Sequence, residues 1–224
     1  MCFSAGASFG AAAVLSLAGA GAVAGAQTKA QSLFAAIPFI FSLQQVMEGI
    51  LWLAQKNEEL QTWGTLFTYA FLVFALVLWP VYIPFTIWLL EKEKKRKKIL
   101  SVLLLIGSAV SACLIAVLFI YPVHILTTHN HIHFSFDFPQ WNENFIWLAS
   151  LLYFMATIAA PFFSGIKRMK WLGMGFLAAY LFSLVFFKGY LISMWCYFAA
   201  VLSLVIVWIM WGLQEKPKDL SIVA

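Results

Sequence analysis

The chain has 224 residues, of which 63% are apolar and only 10% charged. That balance lies far outside the range of soluble domains and excludes a soluble enzyme or binding module. The net charge of +5 comes from fourteen Lys and Arg against nine Asp and Glu; their placement along the chain speaks to orientation rather than to a nucleic-acid partner.

A transmembrane helix needs about 20 mostly apolar residues. Seven such segments follow one another, at 4–26, 31–55, 63–90, 99–121, 145–165, 171–187 and 190–213. They predict an all-α fold, a polytopic seven-helix membrane bundle forming a single domain over residues 1–224. Connections are short except for 122–144, an outer loop expected to cap the bundle. No basic residue precedes the first apolar run, and its "AGA" and "AGAQ" would suit a signal peptidase. A cleavable signal is therefore an alternative, but the run is long for one and reads as a retained helix. Gly6, Gly10, Gly19, Gly21 and Gly25 on this segment predict close helix packing. Pro38, Pro80, Pro84 and Pro161 fall within segments and should kink them, freeing carbonyls that need partners. Trp52, Trp63, Trp147 and Trp195 are expected to form an interfacial belt.

Twelve of the fourteen basic residues fall on one side of these segments: Lys29, the run Lys92 to Lys98, Lys167, Arg168, Lys170, Lys216 and Lys218. Only Lys56 and Lys188 lie opposite. The positive-inside rule then places the N-terminus outside and the C-terminus in the cytoplasm. Seven helices in that orientation is the topology of the rhodopsins. A retinal protein needs a Schiff-base lysine in its last helix, however, and residues 190–213 contain none.

The second segment, "FSLQQVMEGILW", carries Gln44, Gln45 and Glu48 where lipid would tolerate none of them. Phe41, Gln44 or Gln45, Glu48 and Trp52 recur at helical spacing and share a face that must point inward. Met47 is turned about 100° from Glu48. At 1.5 Å per residue Glu48 lies about 10 Å below the outer end of its helix, and Cys196 of the last helix lies about 9 Å below Tyr190. Cys2 stands at the outer mouth. Cys113 reads as an apolar filler, and a Cys2–Cys196 disulfide is an alternative on an oxidising side.

All four histidines, His124, His129, His131 and His133, sit in the outer loop. "HNHIHFSFDF" alternates and predicts a β-segment or hairpin arm, with His129, His131 and His133 on one face. Folded over the mouth, that face would present imidazoles toward Cys2, Glu48 and Cys196. Imidazole, thiolate and thioether together favour copper, type-1-like in one arrangement, with zinc as the alternative. Glu48 would be a ligand or would orient one.

The stretches "MCFSAGASF", "AAIPFIFSLQQVMEGILWL", "NHIHFSF" and "SMWCYFAA" resemble a family of small, largely uncharacterised bacterial membrane proteins that begin Met-Cys-Phe-Ser-Ala. The resemblance runs over nearly the whole chain. It implies Cys2, Gln45, Glu48, His131 and Cys196 as the family's polar positions, while His129 and His133 fall outside the matched positions. It implies no activity.

Together these residues predict an outward-facing metal site, copper or zinc, in the inner (cytoplasmic) membrane. Cys2, His131 and Cys196 are the expected ligands, with Glu48 a ligand or a ligand's partner. His124, His129, His133 and Met47 are candidates to complete the shell. The expected role is electron transfer, metal sensing or metal handling, with a redox or metal-donor protein as the outer partner. The alternative is a transporter or proton-coupled carrier using Glu48, which requires a polar path to the other side. A zinc hydrolase with ligands in its helices is disfavoured, because every histidine is in one loop.

Overall fold

The computed structural model describes residues 4–128, 131–137 and 143–214. Helix α1 (Ala5–Ala24) starts where the Ser4 hydroxyl accepts from the Ala7 N–H at 3.3 Å. Thr28 caps α2 (Lys29–Ala35) in the same way, and α3 (Ile37–Ala54) follows after a break at Ala36 ahead of Pro38. Proline is tolerated there because the first turn of a helix has no use for its missing N–H. Helices α1 and α3 lie against each other along their lengths. A Cβ on Gly19 would come within 2.7 Å of the Phe39 nitrogen, so only glycine permits that approach. Ser42 Oγ donates to the Ala12 carbonyl at 2.8 Å and sits 2.6 Å from Ser16 Oγ. Small residues and hydroxyls thus do the work that apolar burial cannot do between helices in lipid.

The third segment is α4 (Gln61–Leu72), a wide π-helical turn (Val73–Leu78) and α5 (Trp79–Leu90). Helix α6 (Lys94–Ile120) leads to an antiparallel hairpin, β1 (Val123–Thr128) with β2 (His131–Phe136), in a register pairing Val123 with Phe136 and Thr128 with His131. Next come α7 (Glu143–Phe154), a second wide turn (Met155–Ala159) and a short tight helix over Ala160–Phe163. Helices α8 (Met169–Phe186), α9 (Leu191–Leu202) and α10 (Val205–Gln214) complete the bundle. Among the described residues, six helical stretches are long and apolar enough to cross a membrane: Ala5–Ala24, Lys29–Ala54, Thr62–Leu90, Lys94–Ile120, Met169–Phe186 and Leu191–Leu213. The fifth predicted segment is the shorter apolar helix Trp147–Phe163.

Backbone groups released by the first wide turn find partners on neighbouring helices, as a bilayer interior demands. The Ala75 carbonyl accepts from the Tyr153 hydroxyl at 2.6 Å, and the Val77 carbonyl accepts from Ser111 Oγ at 2.6 Å. Pro84 lies inside α5 and leaves the Pro80 carbonyl unbonded within its helix. That carbonyl abuts Gly107 of α6.

At the basic end, Glu91 ties two loops together. Its Oε1 accepts from the Lys92 and Glu93 N–H groups at 2.9 and 3.0 Å, and its Oε2 accepts from Gly165 N–H at 2.6 Å. Burial works to raise its carboxyl pKa. The bonds from Glu93, Gly165 and Lys92, with Arg96 nearby, outweigh it and hold the group below its ordinary value. A carboxyl depressed in the folded state adds stability above its unfolded pKa and loses it as pH falls through the folded one. Glu91→Gln should therefore cost about 1–3 kcal/mol at pH 7. The difference from wild type should shrink as the pH drops below the ordinary carboxylate range. Thermal unfolding in detergent at pH 7 and in steps below pH 5 checks this; a constant difference would refute it.

The hairpin sits on the other end. Ile132 and Phe134 of β2 are buried in a cluster with Leu51, Trp52, Phe71, Leu72 and Cys196, and Phe134 stacks on Phe71 with centroids 5.3 Å apart. Trp63 and Trp147 are exposed as an interfacial belt requires, whereas Trp52 is buried and Trp195 packs inward against Tyr153 and Tyr180.

A buried carboxylate–thiol pocket at the hairpin end

Helix α3 presents Gln44, Gln45, Glu48 and Trp52 to the interior, and the first three are fully buried. Glu48 Oε1 accepts from Ser193 Oγ of α9 at 2.5 Å, and Oε2 accepts from Gln45 Nε2 at 3.2 Å. Cys196 follows Ser193 by three residues, so α9 turns both inward. It is a free thiol, 2% exposed. The Glu48 carboxylate is close enough to act on it electrostatically, and the Gln44 side chain lies beside it. Gln44 Oε1 in turn accepts from Trp79 Nε1 of α5 at 2.9 Å. Trp79 stacks on Phe41 with centroids 3.9 Å apart, closing the pocket toward the N-terminal end of α3.

Several polar atoms here exceed the partners the described residues supply. Gln45 Oε1, Trp52 Nε1 and Ser8 Oγ are buried without a hydrogen-bond partner among them, while the Gln44 amide has the Cys196 sulfur beside it. Buried polar groups are seldom left unsatisfied, so this surplus is the unusual feature of the pocket.

The residues expected from sequence divide into three sets. Glu48 and Cys196 are brought together. Cys2 and His129 lie outside the described residues. His131, His133, His124 and Met47 lie on or beneath the hairpin, with His133 lining a cavity that also reaches Cys196 and Met47 sharing the apolar cluster of Cys196. The face of β2 that enters the cluster around Cys196 is the Ile132 and Phe134 face, which the alternation assigns opposite to the histidines. The more apolar side of the strand wins the buried position. The His131 ring meets Phe187 and Tyr190, at centroid distances of 5.3 and 4.7 Å. His133 donates its Nδ1–H to the Gly189 carbonyl. His124 faces solvent and pairs with Asp137 at 3.1 Å, with both side chains more than half exposed. Met47 packs, half-buried, in the cluster under the hairpin. Among the described residues, no three of His, Cys, Asp and Glu come close enough to hold a metal ion.

Ser193, Trp79 and Ser8 did not emerge from the sequence. Ser193 carried a signal, because it shares a helical face with Cys196 at a spacing of three. Trp79 and Ser8 carried none, one sitting among aromatic residues and the other among alanines.

The fold and pocket define a polytopic helical membrane protein with a carboxylate and a thiol buried together beneath a β-hairpin. The chain belongs to a family of unknown function (DUF6629), which matches residues 1–219. No curated protein and no solved structure matches it.

Proposed function

We propose that this is an integral membrane metal-binding protein of the bacterial inner membrane, N-terminus outside, serving electron transfer, metal sensing or metal handling. The observation that carries the reading is the meeting of Glu48 and the free thiol of Cys196 in one buried pocket with surplus hydrogen-bonding capacity. A thiolate favours copper, with zinc second, and a neighbouring carboxylate suits either. Cys2 and His131 are the proposed completing ligands, with His129, His133, His124 and Met47 as further candidates. Gln45 and Ser193 would hold the Glu48 carboxylate in place, the support that ligand groups commonly require. A redox or metal-donor protein on the outer side would be the partner. The competing carrier reading needs a polar path past Phe41 and Trp79, whose stacked rings close the pocket on that side.

Metal analysis and an optical spectrum of purified protein test the proposal. Wild type should hold about one copper or zinc per chain, in line with a single thiolate site. Cys196→Ser and Glu48→Gln should lose most of it. An intense visible thiolate band would identify cupric copper, and a colourless loaded protein would identify zinc or cuprous copper. Failure to retain any metal after reconstitution would overturn the reading.

A further inference from the structure

Six lysines stand exposed at the basic end: Lys92, Lys94, Lys95 and Lys98 around the start of α6, and Lys167 and Lys170 around the start of α8. The carboxylates that could neutralise them are already used. Glu91 is turned inward onto the Lys92, Glu93 and Gly165 N–H groups, and Glu93 is paired with Arg96. The other cations here have neighbours of their own. Arg96 donates to the Ser164 carbonyl, Lys97 lies over the Trp88 ring at 4.2 Å, and Arg168 donates to the Trp208 carbonyl. Among the described residues, no carboxylate pairs with any of the six lysines.

Both groups of lysines belong to one patch. The Arg96–Ser164 and Glu91–Gly165 bonds clamp the loop before α8 onto the start of α6. Below it, the short helix Ala160–Phe163 packs against both α6 and α8 and exposes Phe162 and Phe163. Lys95 and Lys98 continue, at helical spacing, into an exposed apolar stripe of Ile99, Val102 and Leu105. Lys170 continues likewise into exposed Met174, with exposed Trp171 beside it. Unpaired cations thus stand directly over surface of the kind that faces hydrocarbon.

We propose that this patch binds an anionic phospholipid, its phosphate among the lysines and its chains along the apolar surface below. Charge selects an anion, since each lysine near a membrane surface attracts acidic headgroups. The apolar surface immediately beneath selects a lipid over a soluble anion, and Trp171 sits at the headgroup level that tryptophan prefers. A topology signal needs only basic residues in the right connections. The clamp that gathers two connections into one patch goes beyond that need. The inference holds whether or not a metal occupies the pocket at Glu48.

The probe is dioleoylphosphatidylglycerol, titrated into delipidated protein in neutral detergent and counted by native mass spectrometry beside dioleoylphosphatidylcholine. Detergent removes any effect of insertion orientation. Wild type should take up the anionic lipid about tenfold more tightly or better. Lys95→Gln with Lys98→Gln, and separately Lys167→Gln with Lys170→Gln, should each cut that preference about fivefold or more. All four side chains are exposed, so neither pair of substitutions disturbs the packing. Lys56→Gln, past the other end of α3, should bind as wild type does. Equal uptake of the two lipids would overturn the inference. So would a preference unchanged in both double variants, or one cut equally by Lys56→Gln. Displacement by inorganic phosphate at equal concentration would also overturn it, by making the patch a soluble-anion site.

Discussion

Gly107→Ala should destabilise the protein by about 3 kcal/mol, the top of the usual range for overpacking. A methyl group at this position would enter the van der Waals space of the Pro80 carbonyl oxygen and crowd Ala156, 3.2 Å away. Neither neighbour can give way cheaply. The carbonyl belongs to the backbone of α5, and Ala156 belongs to the wide turn Met155–Ala159 that also packs on α5 and α6. The substitution must therefore separate three elements at once. Gly10→Ala is the matched control, since nothing lies within 4 Å of the added methyl. It should be neutral or stabilising by up to about 1 kcal/mol through helix propensity. Thermal unfolding of both variants in the same detergent reads the difference, and equal midpoints would contradict the packing.

Glu48→Ala should cost about 2–5 kcal/mol, because it leaves the Ser193 hydroxyl and the Gln45 amide buried without their acceptor. A hydrogen bond between membrane helices averages only about 0.6 kcal/mol in net worth. The larger figure comes from breaking two bonds at once among groups that cannot reach water. Glu48→Gln keeps an oxygen for Ser193 and should cost about 1 kcal/mol. If the pocket holds a metal, the glutamine variant should still lose it despite folding well. If Glu48 only joins helices, metal content should follow stability through both variants. Unfolding midpoints measured beside metal content distinguish these outcomes, and a stable Glu48→Ala would remove the structural role.

The helical segments were legible because lipid imposes one simple demand. Long apolar runs bounded by charge marked each span to within a few residues, from Ala5–Ala24 to Leu191–Leu213. The hairpin was legible too, since "HNHIHFSF" alternates with a period of two. Glu48 announced itself as a charge in hydrocarbon, and its depth matched that of Cys196. The direction of the histidines was not legible. Ile132 and Phe134 compete with His131 and His133 for the same strand's buried face, and the apolar pair takes it. Glu91 was hidden in a basic run that read only as an orientation signal, although its carboxylate binds three backbone N–H groups. The wide turns left no trace, because Val73–Leu78 and Met155–Ala159 are as apolar as the regular helix around them.

Those turns set the angular phase of the helical residues beyond them. In a regular helix, eight residues overshoot two full turns by about 80°. Phe71 and Trp79 are eight apart and both buried, as are Tyr153 and Pro161. One surplus residue in each wide turn absorbs the overshoot, the usual consequence of a π-bulge. The indole that holds Gln44 is therefore aimed by an insertion in helix phase, and Pro161 is turned inward by the other. Deleting one residue from Val73–Leu78 would leave the segment just as apolar, yet swing Trp79 away from Gln44 and open the floor of the carboxylate pocket.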